Sequence, residues 1–157
     1  MFLPDFKAVW DGNFDVLGAH IGSDTYCKEH AQERVQVAVK LLKSIGELPD
    51  PQVALKLLRS CGSFCRVVLS ACNVNPDTHK DSLSNFVEEV MECFFQFSGI
   101  RPEDDSWSQA TLPTSLGGLG LCSILRHSTA TCLAPRSQCV KLCRQLDPQH
   151  TFQDSPG

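Results

Sequence analysis

The sequence predicts a mainly α fold, an N-terminal β-hairpin followed by a bundle of four to five helices. Three observations predict it. Asp11-Gly12 sits between two short apolar runs, the strongest short-range hairpin signal. After Gly22 the apolar residues switch to helical spacing, and from there Pro and Gly cut the chain into helix-sized pieces. With 157 residues, 42% of them hydrophobic, the chain has the size of one domain able to bury a core without disulfide or metal staples. The expected division is a hairpin over 1–22, a helical region over 23–146 and a loose tail over 147–157.

The hairpin is expected from "FKAVW" and "FDVLG" flanking "DGN". Helix one follows Ser23 as N-cap, with Cys27, Ala31, Ala38, Leu41, Leu42 and Ile45 on one face and an end near Gly46. Asp50 and Pro51 supply the N-cap and first position of helix two. Its apolar stripe is expected from Val53, Ala54, Leu57, Leu58, Cys61, Cys65, Val68, Leu69 and Cys72. Gly62 and Ser63 weaken its middle by about 1 kcal/mol, a sign of a closely packed neighbour. "NVNPDTHKD" reads as a loop, and helix three as the stripe Leu83, Phe86, Val87, Val90, Met91, Phe94, Phe95 up to Gly99. A short helix in "IRPEDDSWSQA" ends at Leu112-Pro113, and a fourth helix over Cys122–Leu133 breaks near Pro135 before a last one over Arg136–Leu146.

Composition narrows the function classes. No run approaches the roughly 20 apolar residues of a membrane span, and "MFLPDFKAVWDG" has neither a basic leader nor a secretory apolar stretch, so an intracellular location, cytoplasmic or nuclear, and no membrane partner are expected. Nine cysteines, mostly inside helical patterns, suit free and mostly buried thiols. The net charge of −4 is unevenly spread: residues 28–73 carry +3, residues 74–105 carry −6, and residues 106–146 hold four basic residues and no acid. The total argues against a dedicated basic nucleic-acid binder, while the two basic blocks suit a limited phosphate-contacting surface.

Motifs with catalytic or metal chemistry are weak. "TLPTSLGGLGLCS" has no Gly-Lys-Ser/Thr and no strand before its glycines, which excludes both phosphate-loop fingerprints and leaves a turn with positive φ that tucks Leu116, Leu119 and Leu121 into the core. Cys61/Cys65 and Cys139/Cys143 lie one helical turn apart, but no C-x₂-C knuckle exists, and packing accounts for them better than zinc. No Cys–His pair is singled out as a nucleophile and its base. Glu103, Asp104 and Asp105 fit the N-terminus of a short helix rather than a two-metal site. No catalytic residue, metal or cofactor is therefore expected. Lys56, Arg59 and Arg66, at i, i+3 and i+10, fall on roughly one face of helix two, where a phosphate backbone could run.

"FDVLGAHIGS", "LPDPQVALKLLRSCGSFCRVVLSAC" and "WSQATLPTSLGGLGLCSILRHS", in that order, resemble the segment that follows the catalytic palm in reverse transcriptases of non-LTR, LINE-like retrotransposons. The resemblance covers about residues 5–130. It implies the end of a palm sheet followed by a thumb-like helical region. The family's polymerase chemistry belongs to an upstream aspartate cluster with an aromatic-x-Asp-Asp hairpin, and Asp104-Asp105 has no such aromatic before it. The resemblance therefore implies a truncated or derived segment, missing the upstream palm and fingers and without polymerase activity of its own. It gives Leu17 and Gly18 the place of the primer-grip Leu-Gly, with His20 where relatives often have Pro, and it assigns Lys56, Arg59 and Arg66 to phosphates of an RNA/DNA template–primer duplex. The second reading of the sequence is a helical protein–protein interaction module without a nucleic-acid role. There the arc of Phe94, Phe95 and Phe97 leaves one ring exposed, and self-association follows through exposed apolar surface.

Overall fold

The structure is a computed structural model that describes residues 12–16, 19–63, 66–73 and 75–149. It is mainly α with a two-stranded antiparallel hairpin at its N-terminal side. Strand β1 (Phe14–Val16) pairs with β2 (Ala19–Ile21) in the register Phe14↔Ile21, Asp15↔His20, Val16↔Ala19. The last described pair of this hairpin is Val16↔Ala19, and Asp11 and "FKAVW", on which the expected hairpin rests, lie outside the described residues. Gly12 keeps a turn conformation at φ 73.

Helix α1 (Asp24–Gly46) starts where the sequence places it, with the Ser23 side chain accepting from the Tyr26 N–H at 3.3 Å. Its buried face is Cys27, Ala31, Val35, Ala38, Leu42 and Ile45, at helical spacing. Helix α2 (Pro51–Leu57) is capped by Asp50, which accepts from the N–H groups of Gln52 and Val53. The single long helix two of the sequence reading is in fact interrupted. A π-helical turn, Leu58–Gly62, follows α2, and α3 (Val68–Asn73) begins only after Ser63 leaves helical backbone at φ −101, ψ −123. Ala54 and Leu58 are fully buried, whereas Val53, Leu57 and Cys61 of the expected stripe are exposed.

Gly62 explains where the break falls. A Cβ there would approach Ile45 Cδ1 at 3.0 Å and Leu42 Cδ2 at 3.4 Å, so the close neighbour expected at this point is α1.

Helix α4 (Pro76–Ser98) is two turns longer than its sequence reading. "NVNPDTHKD" is not a loop throughout, because Asn75 caps the Asp77 N–H at 3.1 Å and Pro76 occupies the first turn. Gly99 ends the helix at φ 71. Helices α1 and α4 are the central pair and run parallel: Lys28 meets Asp81 near their starts at 3.6 Å, and Gly46 backs onto Gln96 near their ends. Leu42 and Ile45 meet Leu83, Phe86, Val90, Cys93 and Phe94 in one core, joined by Leu58, Ala71, Leu121 and Ile124. Burial of each large side chain among them contributes about 1.5–3 kcal/mol.

Helix α5 (Asp104–Ala110) is short, with Asp104 and Asp105 in its first turn, where the helix dipole favours negative charge. Helix α6 (Ile124–Leu146) is one element, and the break expected at Pro135 is absent. Pro135 has no N–H for the carbonyl of Thr131 and its ring crowds that carbonyl, but residues 133–139 are exposed, so the helix has room to adjust on its solvent side. The thiols also differ from expectation. Of the eight described cysteines, all free, Cys27, Cys93 and Cys132 are buried while Cys61 and Cys139 are exposed. None of the three phenylalanines is the exposed ring of the second reading: Phe94 is buried, Phe97 packs edge-on against it at 5.4 Å, and the half-buried Phe95 lies under the Arg101 guanidinium. No described helix is long and apolar enough to cross a membrane.

Candidate functional site

The loop between α5 and α6 is built by its glycines. Leu119 and Leu121 N–H groups both donate to the Ala110 carbonyl, and Gly120 N–H donates to Leu112 at 2.9 Å, so the chain folds back on the end of α5. A Cβ at Gly118 would overlap the Leu112 carbonyl and lie 2.7 Å from that of Gln109. Only glycine allows this approach. Leu121 is buried and Leu119 packs on the core, as expected, but Leu116 is 66% exposed because the 3₁₀ turn Thr114–Leu116 carries it outward.

The fold-back delivers Gly120 to the surface of α2. Gln52, Leu55, Lys56, Arg59, Ser60 and Gly120 line an open cleft of about 550 Å³. Gln52, Lys56 and Ser60 follow one another at i, i+4 and i+8, one stripe of the helix surface, and the π turn sets Arg59 beside them. The Ser60 hydroxyl donates to the Lys56 carbonyl at 2.7 Å. Among the described residues no carboxylate lines the cleft and neither Lys56 nor Arg59 is in an ion pair. Two exposed cations, one amide and a hydroxyl beside a glycine backbone form a donor-rich surface. It suits a phosphate, met by the guanidinium as a fork and by the ammonium as a point charge.

The structure therefore brings Lys56 and Arg59 together, and it separates Arg66 from them. Arg66 Nε donates to the Cys61 carbonyl at 2.8 Å, tying down the π turn, and Arg66 does not line the cleft. Its expected alignment assumed an unbroken 3.6-residue helix. Leu17 and Gly18 lie outside the described residues. Gln52, Ser60 and Gly120 were missed by sequence reasoning; Gln52, four residues before Lys56, was the one legible from spacing.

No family model, curated protein or solved structure matches the chain. The site is thus read from its own chemistry. A thiol-based alternative has one candidate pair, Cys122 Sγ and His127 Nδ1 at 3.6 Å. His127 Nδ1 also lies 2.8 Å from the Ser123 carbonyl, which it serves as a donor, and burial pushes the Cys122 thiol up from its ordinary value. Both features favour a neutral thiol over a nucleophilic thiolate.

Proposed function

We propose that the chain derives from the post-palm segment of a non-LTR retrotransposon reverse transcriptase and that it contacts the phosphates of an RNA–DNA duplex, without polymerase chemistry of its own. The observation that carries this reading is the meeting of Arg59 with Gly120. It joins two of the three stretches that carry the resemblance, "LPDPQVALKLLRSCGSFCRVVLSAC" and "WSQATLPTSLGGLGLCSILRHS", in one cationic cleft. Lys56 and Arg59 take the phosphate contacts, and the glycine loop keeps the approach free of side-chain bulk. Contacts of this kind are sequence-independent and salt-sensitive.

Gel retardation of a labelled RNA–DNA hybrid by the purified chain at low salt tests the reading. A shift that disappears as salt rises supports it; no shift at low salt removes it. Primer extension in the presence of magnesium would remove the claim that the chain is not itself a polymerase.

A second reading has its own observation. Leu142 and Leu146, one turn apart at the end of α6, are 57% and 79% exposed, an apolar strip that suits self-association. A salt-insensitive dimer lost in Leu142→Glu supports this reading, and a monomer at micromolar concentration excludes it.

A further inference from the structure

The hairpin and the first turns of α1 place a second group of functional side chains together, outside the cationic cleft. The strand register sets Asp15 directly opposite His20, and the two side chains are hydrogen-bonded. Nearly two turns into α1, His30 lies over the same point: its ring stacks on that of His20 with centroids 3.9 Å apart and planes 16° from parallel. Tyr26, four residues before His30 on the same helix face, meets the His30 ring edge-on at 4.5 Å and donates its hydroxyl to Asp15 Oδ1 at 3.3 Å.

Donor atoms of Asp15, His20 and His30 all lie within 4.8 Å of one another. Tetrahedral ligands at bond lengths near 2.0–2.1 Å sit about 3.3 Å apart, so binding an ion draws these atoms closer and turns the His30 ring out of its stack on His20, because each imidazole offers its lone pair in the ring plane. Asp15 is exposed and His30 half-buried, which supplies both the freedom to rotate and a path for an ion. His20 also carries a second nitrogen, on the ring edge away from Asp15. It is 6% exposed, and its Nε2 is buried without any protein hydrogen-bond partner. A buried imidazole nitrogen left without a partner is unfavourable. Cys27 is no competitor for this position, since its thiol points at the carbonyls of His20 and Gly22 and burial raises its pKa.

We propose that Asp15, His20 and His30 bind a divalent transition-metal ion of the zinc class, and that the ion fastens the hairpin to α1. Two imidazoles and one carboxylate are borderline ligands that suit Zn²⁺ or Co²⁺, whereas Ca²⁺ and Mg²⁺ require all-oxygen sets. Three protein ligands leave a fourth position for water. Tyr26 holds the carboxylate in place as an outer partner. The ion gives a two-stranded hairpin, marginal alone, an anchor on the helix. This inference does not depend on the nucleic-acid reading.

The experiment is Co²⁺ and Zn²⁺ binding by the full, reduced chain. The expected result is one equivalent of Co²⁺ with the visible bands of a nitrogen–oxygen site and no thiolate charge-transfer band. Affinity falls at least about 10-fold in both His30→Gln and Asp15→Asn, by the scale that even outer partners reach. Zn²⁺ raises the melting temperature of the wild type and leaves that of His30→Gln unchanged. His30 is partly exposed, so this variant keeps its fold, which its metal-free melting checks. Absence of stoichiometric binding, a thiolate spectrum, or equal affinity in His30→Gln overturns the proposal.

Discussion

The Arg59 guanidinium lies directly over Gly120: a Cβ added to that glycine would sit 3.1 Å from Nε and 3.2 Å from Nη2. Gly120 also holds φ 71, where an L side chain costs about 1–2 kcal/mol. Gly120→Ala is therefore expected to lose about that much stability and also to push Arg59 out of the cleft. Chemical denaturation and hybrid binding read the two effects separately. In a double-mutant cycle with Arg59→Ala the binding losses should not add, because both changes remove the same contact.

Gly118 lies where backbone, rather than a flexible side-chain end, fills the space beyond Cα. Gly118→Ala must displace the Leu112 carbonyl and the loop resting on α5. A cost at the upper end of the roughly 1–3 kcal/mol of overpacking is expected. Comparison with Gly117→Ala, whose added Cβ would meet nothing within 4 Å, separates the steric cost from the cost of a positive φ.

His79 is buried, and desolvation pushes its imidazole below the ordinary 6.5. The unfolded chain then takes up the proton first as pH falls. The contribution of His79 to stability is complete above about pH 6.5 and declines below it, toward the lower value of the folded state. Stability of the wild type should drop between pH 7 and 5 more steeply than that of His79→Leu, in melts of both across this range. Parallel curves would show that His79 does not set the slope.

Phe86, 1% exposed at the centre of the α1–α4 packing, tests the core. Phe86→Ala is expected to cost about 3–5 kcal/mol in urea unfolding. Arg59→Ala, at the exposed cleft, should stay within about 0.5 kcal/mol of wild type.

Local signals made much of the fold legible. Ser23, Asp50-Pro51 and Gly99 mark helix ends that the structure keeps, because each acts on backbone groups a few residues away. Asn75-Pro76 carried the same signal as Asp50-Pro51, and the polar run after it hid the start of α4. The break in helix two was only half legible: Gly62 announced a close neighbour, but the π turn depends on the fit of Gly62 against Ile45 and Leu42, which no local pattern encodes. Pro135 misled in the opposite direction, since an exposed helix tolerates a lost hydrogen bond that a buried one does not. In the cleft, charge and spacing found Lys56 and Arg59. Gly120 comes from some sixty residues downstream, and only the fold-back over Leu112 and Ala110 brings it there. The Asp15, His20 and His30 cluster was invisible for the same reason, because it depends on strand register and on the direction in which α1 leaves the hairpin.

If Lys56 and Arg59 touch phosphates, as proposed, the salt dependence of RNA–DNA hybrid binding reports both contacts. Each lost phosphate contact lowers the slope of log K against log salt by about 1. Lys56→Ala/Arg59→Ala is expected to bind more weakly across hybrid sequences, with a slope shallower than wild type by about 2. A double variant with wild-type affinity and wild-type slope would show that neither cation meets a phosphate.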